Sequence, residues 1–401
     1  MAPDVTILVP TFERPVYLER CLRHHLRTFD EAGIDYEILV CDNGADEATR
    51  EVVERFAAQS PRIRTVRHPR NLGGFGNSLY GHRHARGTIT VTVGDDDLLI
   101  PEIVASHLER FRADPGLAMI QAPWFLMSES RRNEITGMAY ELAEEIEIAH
   151  GDFAAAARLI LSRRIFPEVF AVRTSLASEI LDVADPAAYY FFRAFARAVA
   201  MGRVLFVPTP HAIVAYATRH GHHQGGVVTA DGWDTFRGGL ELLLGAARER
   251  EPGVDWSAEV RALEEIVLDR LAFAMRIRID QRKWHTAWLI YRRLRAHGMD
   301  PLAPSARAEL ESLAGMEAAL IESVALGCVD IVVEDRVYAM YLNVLDVERI
   351  GAPLCCLSDW GGERRGRTAF VGLGWGRERA GHEDDLVVDL AAAMRRTSFA
   401  P

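Results

Sequence analysis

Residues 88–101 read TITVTVGDDDLLIP, and this stretch decides how the first part of the chain is interpreted. Its opening run, Thr88–Val93, is rich in β-branched side chains and predicts a buried strand. Three consecutive carboxylates, Asp95, Asp96 and Asp97, follow one residue later. Adjacent carboxylates repel each other unless a cation or a hydrogen-bond donor shares the site. At the carboxyl end of a strand they predict a ligand site whose oxygens suit Mg²⁺ or Mn²⁺, with a plain acidic turn as the alternative.

Strands and helices alternate through the first third of the chain. Apolar runs predict strands at Val5–Pro10, Tyr36–Cys41, Ile63–Val66 and residues 88–93, with helical patterns between them. This order predicts a Rossmann-type, mostly parallel sheet flanked by helices. The carboxyl ends of parallel strands share one edge, so polar residues that follow different strands are expected to meet there. These residues are Thr11, Glu13, Asp42, Asn43 and the three aspartates.

Length and composition restrict the class of protein. The chain has 401 residues and a formal net charge of -11, which predicts more than one domain and argues against a general nucleic-acid binder. The five cysteines show no paired or metal-ligand spacing, so a reducing cytoplasm is the expected compartment. No signal peptide is expected, and no apolar segment reaches the roughly 20 residues that span a bilayer.

The second half of the chain has a different pattern. A polar stretch at residues 218–226 suggests a boundary near residue 230, giving domains 1–230 and 231–401. Beyond it, amphipathic patterns predict a mainly helical C-terminal domain. Near the end, residues 331–333 and 369–371 suggest strands, and residues 386–394 suggest a helix. The apolar helical faces of this domain fit either an acceptor pocket or a homodimer interface.

Four segments of the chain together resemble family 2 glycosyltransferases, which have the GT-A fold. Residues 6–15, TILVPTFERP, look like the opening strand of that family, and residues 37–44, EILVCDNG, are similar to its second strand and acidic turn. Residues 71–77, NLGGFGN, match its Asn-x-Gly segment. Residues 94–101, GDDDLLIP, look like its metal-binding aspartate motif, with Gly94 where many members have aspartate. The resemblance covers roughly residues 4–215.

The resemblance implies a role for each matching residue. Asp42 would accept a hydrogen bond from the imide N–H of uracil or thymine, and Glu13 would lie near the ribose. Asp97 would be the first ligand of Mg²⁺ or Mn²⁺, and Asp96 would serve the metal, the ribose or the diphosphate. The full set implied for nucleotide binding is Pro10, Thr11, Glu13, Asp42, Asn71, Gly73, Asp95 and Asp96.

The catalytic base and a third metal ligand are less closely defined by the sequence. In the family an acidic residue usually precedes a helix that carries Arg and ends in Gly, which resembles residues 189–202 here. The nearest upstream carboxylates are Asp185, the favoured base, and Asp182, with Glu179 as a weaker candidate. Asp185 could instead be a helix N-cap. His222, in the His-rich stretch 220–223, could supply a metal ligand, or this stretch could be a solvated loop.

These residues predict an inverting, metal-dependent glycosyltransferase of the hexosyltransferase type. It would move a sugar from a nucleoside diphosphate sugar, UDP or TDP favoured, to a hydroxyl of a small molecule or a glycan. Cell-surface polysaccharide assembly and secondary-metabolite glycosylation are both open. One alternative is a nucleotidyltransferase, although this chain lacks the Gly-rich loop that such enzymes have after the first strand. The other alternative is an inactive nucleotide-binding scaffold.

Other charged side chains are expected at the surface. Helical positions His24, His25, His82 and His84 are interpreted as surface sites. A basic face leaves peripheral contact with an anionic membrane open, although a solvated face is more common. This face comprises Arg276, Arg278, Arg282, Lys283, Arg292, Arg293 and Arg295.

Overall fold

The computed structural model describes residues 2–181, 187–217, 232–341, 350–362, 365–376 and 382–398. Within these residues the chain forms two compact units, and the division falls between Val267 and Leu268. It lies later in the chain than the boundary near residue 230 expected from the sequence. The division is later because the helix at residues 233–250 packs on the helices at residues 153–163 and 190–201, and so belongs to the first unit.

The strands and helices of the first unit alternate in the expected order at the start of the chain. The strands are β1 (Val5–Thr11), β2 (Tyr36–Asp42), β3 (Ile63–Arg67), β4 (Ile89–Thr92), β5 (Leu98–Leu99), β6 (Leu117–Gln121), β7 (Trp124–Ser128), β8 (Glu134–Met138), β9 (Ile146–Ile148), β10 (Phe170–Arg173), β11 (Arg203–Phe206) and β12 (Ala212–Ala217). The helices are α1 (Pro15–Glu31), α2 (Glu47–Gln59), α3 (Gly73–His84), α4 (Pro101–Ala113), α5 (Phe153–Arg163), α6 (Thr174–Ile180), α7 (Tyr190–Met201) and α8 (Trp233–Arg250), and α9 (Ser257–Asp280) runs across the division.

The main sheet has eight strands in the order β3-β2-β1-β4-β10-β6-β11-β9. The first four strands are mutually parallel, and β6 and β11 are parallel to each other. Strand β10 runs antiparallel between β4 and β6, and β9 is antiparallel to β11. Every residue of β2 is buried, as expected for a strand covered by helices on both faces. The predicted GT-A-like, mostly parallel sheet is confirmed.

A second, four-stranded sheet lies beside the acidic stretch. Its order is β5-β12-β7-β8, with β12 antiparallel to β5 and parallel to β7. Leu98 and Leu99 form β5 directly after Asp97, where they pair with Ile213 and Ala212. The chain therefore leaves the main sheet at β4, makes the acidic turn and enters the second sheet within a few residues.

The second unit contains helices and a small parallel sheet. Its helices are α10 (Trp284–Ala296), α11 (Pro304–Ala325), α12 (Asp335–Tyr341) and α13 (Leu390–Ser398), and its strands are β13 (Asp330–Val333), β14 (Leu354–Cys356), β15 (Thr368–Gly372) and β16 (Leu386–Asp389). The strands are parallel in the order β14-β13-β15-β16. The predicted helical C-terminal region is confirmed. The helix predicted at 386–394 begins only at Leu390, because residues 386–389 pair with β15 as a strand.

The predicted basic face of this region needs one correction. Arg278 is only 2% exposed, and its guanidinium donates a hydrogen bond to the Gln281 side-chain oxygen at 2.6 Å. It therefore belongs to the packed side of α9 and not to a solvated face. Among the described residues, no helix combines the length and the apolar character needed to cross a bilayer.

Candidate active site

The predicted polar residues meet at the carboxyl ends of three adjacent parallel strands. Thr11 ends β1 and lies opposite Asp42, which ends β2. On the other side of β1, Val93 follows β4 and donates its backbone N–H to the Leu8 carbonyl at 3.0 Å. The acidic turn that begins at Gly94 is therefore next to the end of β1, as the parallel sheet predicts.

Asp95 is the innermost carboxylate of the turn. Its side chain is only 4% exposed, and each oxygen has a partner. The Thr11 hydroxyl donates to Oδ2 at 2.6 Å, and the Arg14 guanidinium lies 3.0 Å from Oδ1. Burial raises the pKa of Asp95 to about 7, although Arg14 acts in the opposite direction. Asp95 therefore anchors the turn from inside, and its oxygens are turned toward the protein.

Arg14 holds two of the three carboxylates together, a role that the sequence analysis did not assign. Its guanidinium lies 2.5 Å from Asp96 Oδ2 as well as 3.0 Å from Asp95, and its side chain is 10% exposed. The Asp96 side chain is 15% exposed. Arg14 precedes the first residue of α1, Pro15, so the start of this helix carries the positive charge to the turn.

A second pair of side chains on α1 supports the same turn. Arg20 donates to the backbone carbonyl of Asp96 at 2.7 Å and also pairs with the buried Glu129. The Tyr17 hydroxyl donates to the other Glu129 oxygen at 2.8 Å. The guanidinium of Arg14 lies 4.7 Å from the centre of the Tyr17 ring. Tyr17 and Arg20 are three residues apart on α1 and are therefore neighbours on its surface, which could have indicated part of the cluster.

Asp97 has a different attachment from its two neighbours. Its Oδ1 accepts the backbone N–H of Ala215, on β12, at 2.9 Å. A Cβ at Gly94 would lie 2.6 Å from Asp97 Oδ2 and 2.9 Å from Asp96 Oδ1, so the two carboxylates fold back over this glycine. Burial, together with Asp96, raises the pKa of Asp97 well above its usual range. A side chain at position 94 would therefore displace the carboxylate groups of Asp96 and Asp97.

The charges of the turn fit a divalent cation that completes its coordination with phosphate oxygens. The turn has three carboxylates, and the Arg14 guanidinium pairs with two of them, Asp95 and Asp96. Burial of these negative charges raises the pKa values of Asp95 and Asp97. No group of three or more His, Cys, Asp or Glu side chains within the described ranges is arranged as a metal cage. Mg²⁺ commonly uses one or two carboxylates and substrate phosphates, so Asp96 and Asp97 are sufficient donors for that mode.

Asp42 and its neighbours form the second part of the site. Asp42 is 1% exposed, accepts the Ala45 backbone N–H at 2.8 Å and lies 3.2 Å from the Arg67 guanidinium. Asn43 donates to the Asn71 side-chain oxygen at 2.9 Å, which in turn accepts the Gly73 backbone N–H at 2.7 Å. Asn71 and Gly73 are exposed, and Gly73 has a φ of 76° that suits glycine.

The turn between β1 and α1 contains the remaining predicted contacts. Pro10 is partly exposed and Glu13 is exposed, and both lie next to the buried Thr11. Glu13 has a φ of 55°, a left-handed conformation that is uncommon for a residue with a side chain. Such conformations cost about 1–3 kcal/mol and cluster at ligand sites. The three remaining site predictions, Asp182, Asp185 and His222, lie outside the described residues.

The surface prediction for the helical histidines is wrong at two positions. His25 is 0% exposed and His82 is 3% exposed. His25 accepts the Leu99 N–H at 3.0 Å, and His24 contacts the Leu99 carbonyl at 3.0 Å, so both hold β5. His82 Nε2 lies 2.8 Å from the Thr92 hydroxyl at the end of β4. Their burial follows from packing against the segments on either side of the acidic turn.

Replacing Arg14 should destabilise the fold strongly. Arg14→Met leaves two largely buried carboxylates without their cation, and removing one partner of a buried ion pair costs about 3–5 kcal/mol of unfolding free energy. Urea denaturation at neutral pH measures this change. Arg23→Met is the matched control, because the Arg23 side chain is 70% exposed and forms a surface ion pair with Glu19. It should cost about 0.5 kcal/mol, and an equal loss in both variants would contradict the role of Arg14.

Part of the chain is similar to known proteins. The family model described as "Glycosyl transferase family 2" matches residues 6–173, which include both halves of the site. The chondroitin synthase of Escherichia coli is 29% identical over 119 residues, covering 29% of this chain and 17% of that protein. The undecaprenyl-phosphate 4-deoxy-4-formamido-L-arabinose transferase of Edwardsiella ictaluri is 28% identical over 136 residues, covering 32% of this chain and 41% of that protein.

Among solved structures, the crystal structure of S. aureus TarS 1-349 in complex with UDP-GlcNAc is similar to 87% of this chain and 92% of that one. The TM-score is 0.49 and the sequence identity is 13%. The chain spans less than half of the length of the two curated relatives named above. The similarity to the family 2 glycosyl transferases is therefore shown for residues 6–173, the part of the chain that carries the acidic turn and Asp42.

Proposed function

We propose that the chain transfers a sugar from a nucleoside diphosphate sugar to an acceptor hydroxyl, with inversion at the anomeric carbon. The observation that carries this proposal is the pairing of two polar groups at one sheet edge. The acidic turn of residues 95–97 follows β4, and Asp42 ends β2, with β1 between them. Within a family 2 domain, this arrangement suits a ligand with a base at one end and a diphosphate at the other.

Asp42 supports a uracil or thymine base, hence UDP or TDP. Its carboxylate is buried and held in place by Ala45 and Arg67. An ionised carboxylate accepts hydrogen bonds and would match the imide N–H of these bases. Beside it, Pro10, Thr11, Glu13, Asn71 and Gly73 would surround the nucleoside. Asp95 would keep the turn in place, and Asp96, the more exposed of the two residues bridged by Arg14, would face the ribose or the diphosphate.

A divalent cation, Mg²⁺ or Mn²⁺, would be held by Asp97 and Asp96, with His222 as a further predicted ligand. When bound, such an ion neutralises charge on the diphosphate leaving group. The residues of the chain would fix the donor so that the acceptor oxygen approaches the anomeric carbon from the opposite side. A single displacement of this kind inverts the configuration. Asp185 and Asp182 are the bases predicted from the sequence.

The acceptor is proposed to be a small molecule or a glycan, in cell-surface polysaccharide assembly or secondary-metabolite glycosylation. The names of the curated relatives, a chondroitin synthase and an undecaprenyl-phosphate sugar transferase, support the first of these processes. Residues 231–401 are proposed to act in acceptor binding or in homodimer formation. The cytoplasm is the proposed compartment, since all five cysteines are free thiols.

The first experiment is calorimetric titration with UDP, TDP, GDP, ADP and CMP, each with and without Mn²⁺. Tight binding of UDP or TDP that depends on Mn²⁺ is the expected result, and it would justify an acceptor screen. Absence of binding to any of these nucleotides would contradict the proposed function. If the chain binds a nucleotide but releases none from a sugar donor, the inactive scaffold is favoured. The first turn of α7 is aromatic and contains no acidic residue that could act as a base, which is consistent with that alternative.

Asp42→Ala should weaken nucleotide binding more than it slows the transfer step. The variant loses a hydrogen bond from a charged acceptor, worth about 1.5–3 kcal/mol, so the Kd for UDP should rise about 10- to 100-fold. Calorimetry measures the Kd, and thermal unfolding checks that the Ala45 turn survives. Glu47→Ala, on the exposed first turn of α2, is the control and should leave the Kd unchanged. Unchanged UDP affinity in Asp42→Ala would refute the proposed base contact.

A further inference from the structure

The proposed reaction needs a group that accepts the proton of the acceptor hydroxyl. The described residues at the start of α7, 187–193, read AAYYFFR and contain no carboxylate. A carboxylate from another part of the chain reaches this position. The Tyr189 hydroxyl, just before α7, donates a hydrogen bond to Glu168 Oε1 at 2.9 Å.

Sheet topology puts Glu168 at the same edge as the acidic turn. Strand β10 runs antiparallel between β4 and β6, with Ala171 opposite Val91 on one side and Ile120 on the other. The residues that precede β10 therefore lie where β4 and β6 end. Phe170 is opposite Gln121, the last residue of β6, and the Gln121 amide donates to the Pro167 carbonyl at 3.4 Å.

This register puts Glu168 at the edge of the sheet where the aspartates lie. Adjacent strands lie about 4.8 Å apart. Ala171, which pairs with Val91, is therefore about one strand spacing from β4, and Glu168 precedes it by three residues on the side where residues 95–97 follow β4. A substrate bound along this edge would lie between Glu168 and the carboxylates of the turn.

The surroundings of Glu168 suit a positioned base. Its carboxylate is partly exposed, whereas Tyr189 is 7% exposed and its ring centre lies 4.0 Å from that of Phe236. The tyrosine is thus fixed by packing and orients one carboxylate oxygen. Phe75 at the start of α3 is 36% exposed, and its ring centre lies 4.4 Å from that of Tyr190. An aromatic face therefore lies beside the start of α7, where a sugar could stack.

We propose that Glu168 is the general base, an inference that rests on the proposed transfer function. Glu168 takes the proton of the acceptor O–H. The electron pair released on the acceptor oxygen forms the bond to the anomeric carbon. The bond between that carbon and the phosphate oxygen breaks, and its electron pair leaves with the nucleoside diphosphate. Tyr189 is a positioning residue that holds the glutamate through its hydroxyl.

Glu168→Gln tests the proposal, because it keeps the shape of the side chain and removes its basicity. The assay is release of nucleoside diphosphate from UDP-, TDP- and GDP-linked glucose and mannose with Mn²⁺, where water is the acceptor. We expect kcat to fall about 10²- to 10⁴-fold, while the Kd for the nucleoside diphosphate changes less than about twofold. Glu168→Asp should recover part of kcat, because it restores a carboxylate.

Three further variants separate the alternatives. Glu54→Gln, on α2 with a side chain that is 62% exposed, is the matched control and should retain kcat. Asp185→Asn should retain more than a tenth of kcat if Glu168 is the base. Tyr189→Phe removes only a hydroxyl, so it tests the site even if Glu168→Gln folds poorly, and it should lower kcat without changing the Kd.

The proposal is overturned if Glu168→Gln keeps the kcat of the wild-type chain, or if Asp185→Asn alone abolishes release. It is also overturned if a folded Tyr189→Phe variant is fully active while Glu168→Gln loses nucleotide affinity. Failure of the proposed function looks different. In that case the wild-type chain neither binds a nucleoside diphosphate with Mn²⁺ nor releases one from any of the donors.

Discussion

Asp97→Asn should abolish sugar transfer and leave the fold intact. Asparagine has nearly the same volume and keeps the Oδ1 atom that accepts the Ala215 N–H, but it removes the negative charge proposed to bind the metal. A metal contributes several kcal/mol of charge stabilisation, so kcat should fall by at least about 10²- to 10³-fold. Release of nucleoside diphosphate with Mn²⁺ measures the rate, and circular dichroism on heating measures the fold.

The matched control for this variant is Asp384→Asn, since the Asp384 side chain is 85% exposed in the second unit. It should have the activity of the wild-type chain. Excess chelator should inhibit the wild-type chain and have no further effect on Asp97→Asn. Normal turnover in the variant, or in the wild-type chain with chelator, would eliminate Asp97 as a metal ligand.

Acid should unfold the chain steeply, because several histidines are buried in the neutral form. Burial lowers the pKa of His25 and His82 to about 3 and that of His211 to about 4. In the unfolded chain these groups titrate near pH 6.5, so between about pH 6.5 and 4 the unfolded state binds more protons. Their stabilising contribution is therefore complete above pH 6.5 and is lost as the pH falls. Each histidine costs about 1.4 kcal/mol per pH unit in this window.

Urea denaturation at pH 7.5, 6.5 and 5.5 tests this expectation. The three histidines together should lower the unfolding free energy by about 4 kcal/mol per pH unit once the pH is well below 6.5, and the raised pKa values of Asp95 and Asp97 act in the opposite direction. His82→Gln should reduce that slope by about one third. His382→Gln, 63% exposed, should not change it. A slope that His82→Gln leaves unchanged would contradict the neutral buried state of His82.

The first strands of the fold were predictable because each one is buried on both sides. Strands β1, β2 and β4 are rich in apolar and β-branched residues, and polar residues stand at or just after their carboxyl ends. A parallel sheet then requires Thr11, Asp42 and the acidic turn to meet. Strand β10 was harder to predict. Its apolar pattern indicates a strand but does not show whether the strand is parallel or antiparallel to its neighbours. Its position between β4 and β6 depends on contacts between residues that are far apart in sequence.

The supporting side chains of the site were not predictable from local patterns. Arg14 and Arg20 act on the acidic turn across more than 70 residues of sequence, and Glu129 pairs with α1 across more than 100. A charged residue on a helix usually indicates a solvated face, and only the tertiary structure shows which charges are paired inside. The same reason explains the wrong surface prediction for His25, whose ring satisfies the backbone of β5.

The two kinds of attachment of the acidic turn differ in how they tolerate mutation. Asp95 and Asp96 are held by the side chains of Thr11 and Arg14, so one substitution at either position disturbs them. Asp97 is held by a backbone N–H, which every residue except proline provides. The orientation of Asp97 is therefore encoded in the pairing of β5 with β12 and not in the identity of residue 215. Sequence drift at that position can proceed freely while the carboxylate stays in place.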